Sequence, residues 1–332
     1  MDTFLLLAGG LVLLIAGGEF LVRGSVRLAE RFGMSPLLIG LTLVGFGTST
    51  PELVTSVQAA IAGSPGIAVG NIVGSNIANI LFILGLSALI TPIKVGPSAL
   101  RRDGVIVLAS AILFAAVSWV WVLDRLVGIV FLAGLVSYIV YAYRQEKVVP
   151  ATATEGHTAA FEKAEAHDEV VDHHRKTPAR SARMDIAVSA GIAVAGLALV
   201  VVGGGLLVDG AIRLARGFGI SESVIGLTIV AVGTSMPELV TSVVAAIRKH
   251  SDVALGNVLG SNIYNTLGIG GVTALISPTD VPAQIVRFDN PVMILVSVLL
   301  LVFAWTGNRI GRREGGALVL GYVAYVATLW PK

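Results

Sequence analysis

GTSTPELVTSVQAAI over residues 47–61 returns almost unchanged as GTSMPELVTSVVAAI over 233–247, and GNIVGSNIAN over 70–79 returns as GNVLGSNIYN over 256–265. Both pairs stand 186 residues apart (233 − 47 and 256 − 70), and about two-thirds of the positions between Gly47 and Asn79 agree with their partners. Two unrelated apolar helices can resemble one another in leucine and valine, but not in polar residues held in register. The chain is a duplicated unit, with the match running without a gap from Gly17/Gly203 to about Val95/Val281. A repeat found this early constrains every later assignment.

Around these blocks the composition is that of a bilayer protein. Of 332 residues, 55% are hydrophobic and only 13% charged, and the mean hydropathy is +0.86. Soluble domains run near 25% charged residues, so a soluble enzyme is excluded. The apolar runs predict an all-α polytopic membrane protein with spans near 3–22, 36–61, 67–91, 103–121 and 125–143 in the first half, and near 185–208, 221–247, 253–276, 288–306 and 315–330 in the second. Ten spans with five per half mean that the second copy enters the membrane the other way up, as two inverted five-helix repeats over 1–143 and 185–332. Met1-Asp2-Thr3 offers no basic region ahead of its apolar run, so that run is expected to be a span and not a cleaved signal.

Residues 144–184 are polar and are expected to form a loop between the halves, with Glu155, Glu162, Lys163, Asp168 and Lys176 among its charges. His157, His167, His173 and His174 within it match no defined metal-site spacing; the loop reads either as a metal-sensing segment or, more simply, as a solvated linker. Positive charges set the orientation. With both termini outside, Arg23, Arg27, Arg31, Lys94, Arg101, Arg102, Arg248, Lys249, Arg309, Arg312, Arg313 and the loop's cations fall on the cytoplasmic side, leaving Arg125, Arg213, Arg216, Arg287 and Lys332 opposite. Arg213 and Arg216 run against the bias, with no account beyond descent from the Arg27 region. The net charge of +2 gives no reason to expect nucleic acid as a partner, and the absence of cysteine removes thiolate chemistry.

The chemistry is carried by Glu52 and Glu238, repeat mates inside long apolar spans. An ionised carboxylate there costs a few kcal/mol or more and implies a partner or a function. Together the two carry a charge of −2, which one divalent cation or several monovalent ions would neutralise. Pro51 and Pro237 remove helix bonds to the carbonyls of Gly47 and Gly233, and backbone oxygens freed at membrane depth are tolerated where they line a cavity. Thr48 and Thr234 lie four residues before the glutamates and Ser49 and Ser235 three before, on shared helix faces. Ser75 with Asn79, and Ser261 with Asn265, form equivalent i,i+4 pairs on the following helix. Carboxylate, hydroxyl, amide and carbonyl oxygens without imidazole or sulfur suit Na+ and Ca2+ and not Zn2+ or Cu2+. Gly70, Gly74, Gly256 and Gly260 read as helix-packing residues. No His falls within a predicted span and no aspartate pair lies there, which argues against an intramembrane hydrolase.

The two blocks resemble the α-repeats of the cation/Ca2+ exchanger superfamily, in its Na+/Ca2+ exchanger branch, over all of the chain except the central loop. The resemblance implies a ten-helix antiporter, not an enzyme, working by alternating access in the inner membrane. It implies no cofactor; the transported ions are Na+ and Ca2+, and a monomer is expected. By motif position (45–79 and 231–265) it implies a central Ca2+ site of Glu52, Glu238 and the carbonyls of Thr48 and Thr234. Flanking Na+ sites would use Ser235, Ser75 and the carbonyl of Ala231, and Ser49, Ser261 and the carbonyl of Gly45. Relatives often carry alanine at the Gly45 position, which leaves a backbone ligand intact. Where K+-dependent relatives carry Asp, this chain has Asn265, with Asn79 as its mate, so K+ is expected to be dispensable. The alternative that remains is a Ca2+/H+ antiporter of the same superfamily. The glycines at Gly17, Gly18, Gly203, Gly204 and Gly205 are expected to let the first and sixth spans slide over the site helices.

Overall fold

A computed structural model describes residues 3–32, 45–95, 100–146, 158, 161–163 and 182–330; the four loop histidines and the first part of the expected 36–61 span lie outside what is described. The protein is a helical membrane protein. Its helices are α1 (Thr3–Arg31), α2 (Gly45–Thr48), α3 (Thr50–Ile61), α4 (Pro65–Ile90), α5 (Val105–Val120), α6 (Arg125–Glu146), α7 (Ala182–Phe218), α8 (Glu222–Thr234), α9 (Met236–Ile247), α10 (251–276), α11 (Asn290–Gly307) and α12 (Arg312–Leu329).

Among the described residues, six helical segments are long and apolar enough to cross a bilayer: Thr3–Ala29, Pro65–Ile90, Arg102–Val120, Arg125–Gln145, Ile186–Phe218 and Ile285–Trp305. The α8–α9 pair makes a seventh as a broken span bent by 50°. Two other expected spans fall below that mark for visible reasons. α10 carries Asn257, Ser261, Asn262, Asn265 and Thr266, all buried, and their amides and hydroxyls lower its hydropathy. α12 opens on Arg312, Arg313 and Glu314.

α4 and α10 form the centre. Both are buried on nearly every face, the pattern of a helix enclosed by protein. Around them α5, α6, α11 and α12 leave Ile112, Ile129, Leu295 and Leu320 exposed, and Trp119, Trp121, Trp305 and Trp330 stand at or near helix ends, as aromatic side chains do at a membrane–water boundary. α1 and α7 pack antiparallel along their lengths. Their backbones touch: a methyl added at Gly10 would come within 2.6 Å of the Leu207 nitrogen and 2.7 Å of the Gly203 carbonyl. Small residues make that approach possible.

The internal repeat is legible in the backbone. α4 and α10 each contain a wide π turn, at Asn79–Leu84 and Tyr264–Ile269. α3 and α9 are each followed, two residues past the helix end, by a left-handed residue, Gly63 with φ 71° and Lys249 with φ 67°. The same two closing bonds follow, Gly63 N to Ala60 O and Ser64 N to Ala59 O in one half, Lys249 N to Ala246 O and His250 N to Ala245 O in the other. Two short strands, β1 (Ile93–Lys94) and β2 (Arg309–Ile310), pair antiparallel and join the connections α4–α5 and α11–α12. A bridge between Leu123 and Thr279 joins α5–α6 to α10–α11.

Candidate functional site

The site is built by two interrupted helices that meet two continuous ones. α2 stops at Thr48, Ser49 turns with φ −92° and ψ 13°, and α3 begins at Thr50 with Pro51 in its first turn. α8 stops at Thr234, Ser235 turns with φ −81° and ψ 12°, and α9 begins at Met236 with Pro237 in its first turn. Proline accounts for both breaks: it lacks the N–H that would continue the ladder, yet its fixed φ suits the start of a new helix. Glu52 and Glu238 therefore occupy first turns, where unpaired amides and the helix dipole favour negative charge.

The two halves hold each other's carboxylates. Ser235 Oγ donates to Glu52 Oε1 at 2.9 Å, and Ser49 Oγ donates to Glu238 Oε1 at 3.1 Å. Both glutamates are buried, at 1% and 2% exposure, and Oε2 of each has no hydrogen-bond partner. Ser235 also reaches Ser75 Oγ at 3.1 Å, and Ser75 Oγ lies 3.4 Å from the Ala231 carbonyl. The trio expected for one flanking ion, Ser75, Ser235 and Ala231, is thus assembled. Thr48 is buried with Oγ1 unpaired, whereas Thr234 Oγ1 is engaged with Asn71 Oδ1 at 3.0 Å. Asn79 donates to Asn262 Oδ1 at 2.9 Å, and the side-chain carbonyls of Asn79 and Asn265 are buried and unpaired. Gly45 opens α2, at the foot of the same break.

Ser261 has a neighbour that the sequence reading did not foresee. Lys163, in a helical turn at 161–163, donates to Ser261 Oγ at 2.6 Å and to Glu238 Oε1 at 3.2 Å, and is fully buried. The linking segment is therefore not solvated throughout: Thr158, Glu162 and Lys163 are interior. A lone lysine in a polar linker carries no sequence signal for this position.

Two further pairs of asparagines, outside the expected ligand set, brace the site. Asn71 Nδ2 donates to the Glu52 carbonyl at 3.1 Å and to Ser56 at 2.9 Å. Asn257 Nδ2 donates to the Glu238 carbonyl at 3.1 Å, Thr241 at 2.7 Å and Ser242 at 2.8 Å. They clamp α3 to α4 and α9 to α10 at the glutamates. Asn76 and Asn262 tie α4 to α10: Asn76 Nδ2 meets Thr266 Oγ1 at 3.1 Å, and Asn262 Nδ2 meets the Asn76 carbonyl at 3.3 Å. The available signal was duplication, since each is an amide repeated at the common offset within an apolar run.

A cavity of about 500 Å³ opens between α1 and the two breaks, lined by Gly18, Glu19 and Arg23 on one side and Thr48, Pro51 and Pro237 on the other. Glu19 and Arg23 form an ion pair in its wall. Among the described residues no three His, Cys, Asp or Glu side chains cluster, so a cation held here would rest on two carboxylates and neutral oxygens. That donor set is one for hard, oxygen-seeking ions.

Comparison with known proteins identifies the family. The family model for sodium/calcium exchanger proteins matches residues 3–144 and 188–330. The sodium/calcium exchanger MaX1 of Methanosarcina acetivorans is 37% identical, over 99% of this chain and 98% of its own. The inner membrane protein YrbG of Escherichia coli is 33% identical over 98% and 96%. A solved structure of the sodium-calcium exchanger NCX_Mj, soaked with 10 mM Na+ and zero Ca2+, superposes with a TM-score of 0.62 at 33% identity over 99% of both chains. With a family model spanning both halves and relatives alike from end to end, the chain belongs to the sodium/calcium exchanger family.

Proposed function

We propose that the protein is a secondary antiporter that exchanges Na+ for Ca2+, binding both at the Glu52–Glu238 site and alternating its access to the two sides of the membrane. The observation that carries this reading is the reciprocal clasp: each buried glutamate accepts a hydroxyl from the opposite half and keeps one oxygen unpaired. A pair of buried charges left so is costly, and one Ca2+ or two or more Na+ would compensate it. Ca2+ would sit between the glutamates with the carbonyls of Thr48 and Thr234. Na+ would use Ser75, Ser235 and the Ala231 carbonyl on one flank, and Ser49, Ser261 and the Gly45 carbonyl on the other, with Asn79 and Asn265 closing the floor as neutral amides.

The fold read here is ten spans in two inverted five-helix repeats, in the inner membrane, with both termini outside, the linking segment cytoplasmic, and the monomer as the working unit. The cross-connections support it. β1–β2 joins two connections expected on the cytoplasmic side, and the Leu123–Thr279 bridge joins two expected outside. Access would change as α1 and α7, which pack closely on one another, move together over the two helix breaks; the cavity under Gly18 lies along that boundary.

The test is Ca2+ uptake by proteoliposomes loaded with Na+, with Na+-free, pH-gradient and K+-free arms. Uptake driven by outward Na+ and unchanged without K+ is expected, because Asn265 stands where a third carboxylate would be needed for an additional cation. Uptake driven by a pH gradient alone would move the protein to proton coupling, and a K+ requirement would overturn the Asn265 argument.

A further inference from the structure

We infer that Lys163 is a tethered competitor for the transported ions, an autoinhibitory contact made by the segment that links the two halves. The inference rests on the ion-binding reading of the Glu52–Glu238 site and adds a regulator to it.

The geometry is that of a cation in a cation site. Nζ of Lys163 lies 2.6 Å from Ser261 Oγ and 3.2 Å from Glu238 Oε1, the same oxygen that Ser49 Oγ reaches at 3.1 Å. These are the side-chain oxygens of one flanking site together with a central carboxylate. An ammonium group offers one positive charge and up to three donors to whatever oxygens surround it, so it satisfies the oxygens that a Na+ ion would otherwise draw upon. The side chain has no exposed surface, and the adjoining Glu162 is also interior, set against Gly256 of α10. The turn is locally built: Thr158 accepts the Glu162 amide through its carbonyl at 3.0 Å, and its hydroxyl oxygen lies 3.4 Å from the Phe161 nitrogen.

The equivalent place in the other half shows what the lysine changes. At Glu52, Ser235 Oγ closes directly onto Ser75 and the carboxylate, and among the described residues no cationic side chain is bonded there. The ammonium is thus not required by the repeat, and it comes from outside it. With Lys163 seated, the pair of glutamates retains a net charge of −1 instead of −2, which removes half of the electrostatic attraction that selects a divalent ion. Ca2+ must displace the lysine before it can use Glu238 fully, so the contact raises the ion concentration needed on the side where the linking segment lies.

Equilibrium binding of radiolabelled Ca2+ to the purified full chain tests this, with Lys163→Gln and Lys163→Arg compared with the unsubstituted protein. Lys163→Gln should bind Ca2+ at least tenfold more tightly, whereas Lys163→Arg, which keeps the charge, should stay within about threefold of the unsubstituted protein. In parallel, the unsubstituted chain is treated with an amine-reactive succinimidyl ester and mapped by mass spectrometry. Lys163 should be protected without ions and labelled at saturating Ca2+, with Lys249 as the internal control. Unchanged affinity in Lys163→Gln, or weaker binding, would overturn the inference, as would labelling of Lys163 that is indifferent to Ca2+. If Glu238→Gln still abolishes binding in that case, the ion site stands without the regulator; if neither the unsubstituted chain nor Lys163→Gln binds Ca2+, the site reading and the regulator fall together.

Discussion

Glu52 and Glu238 occupy matching positions in the two halves, on matching helix starts, and accept matching serine hydroxyls, yet among the described residues a lysine bonds Glu238 and none bonds Glu52. The difference teaches which part of the site is inherited and which is added. Four features at the glutamates come in pairs at the 186-residue offset: the broken helix, the glutamate, the serine from the opposite half, the asparagine clamping the glutamate's carbonyl. The lysine comes from residues outside the repeat.

If the pair works as one site, Glu52→Gln and Glu238→Gln should each lower Na+-driven Ca2+ uptake by at least a hundredfold, on the order of 3 kcal/mol, in the range for losing a charged group's hydrogen bonds. Retention of uptake by one variant alone would break the symmetry and assign the ion to a single half.

A second matched pair sharpens the comparison. Asp103 and Asp289 also stand 186 residues apart (289 − 103) and are both fully buried. Asp103 accepts two N–H groups from Arg102 at 3.0 and 3.2 Å and the Tyr138 hydroxyl at 3.1 Å, whereas Asp289, preceded by Phe288, accepts the Tyr325 hydroxyl at 2.8 Å. Arg102→Gln strips a buried charge of its counter-ion and should destabilise the solubilised protein by about 3 kcal/mol in thermal unfolding. Asp289→Asn, which disturbs one neutral donor, should cost about 1 kcal/mol. Equal losses would show that the guanidinium contributes nothing special.

The left-handed turns make a smaller contrast. Glycine fits φ 71° at Gly63, but lysine at φ 67° places a Cβ against its own carbonyl. Lys249→Gly should raise stability by about 1 kcal/mol, and Gly63→Ala should lower it by a similar amount, in the same unfolding assay.

The smallest effect is expected at Asp124, on the exposed connection before α6. The Val127 amide at 2.9 Å and the Trp121 ring N–H at 3.1 Å hold its carboxyl below the usual carboxylate range. A carboxyl with a lowered folded pKa stabilises at pH values above its unfolded value, near 3.9, and loses that contribution as the pH falls through its folded value. Asp124→Ala should therefore melt slightly below the unsubstituted protein at pH 7, and the gap should close as the pH is lowered below about 4.

Much of this was legible in the residues. Prolyl-glutamate pairs in register within apolar runs announced two broken helices and a buried carboxylate at each break, because proline forbids the helical bond and hydrocarbon forbids an idle carboxylate. The asparagines Asn71 and Asn257 were visible only as conserved members of the repeated blocks within this chain; their role as clamps on a backbone carbonyl depends on how α3 lies across α4 and α9 across α10. The π turns at Asn79 and Tyr264 were not legible, since a one-residue widening of a helix follows from packing and leaves hydropathy unchanged. α10 departs from the apolar pattern for the opposite reason: its buried amides find partners on α4 and α9, which no count of hydropathy registers.

The sequence alone determined the membrane class, the duplication and the two helix breaks with their glutamates, because hydropathy, periodicity and proline act locally and survive in any fold. Only the tertiary structure decided which oxygens face one another. Ser49 reaches Glu238 and not the adjacent Glu52 because the halves pack face to face, and Lys163 reaches Ser261 across 98 residues of chain because a buried carboxylate attracts whatever positive charge the fold brings within reach.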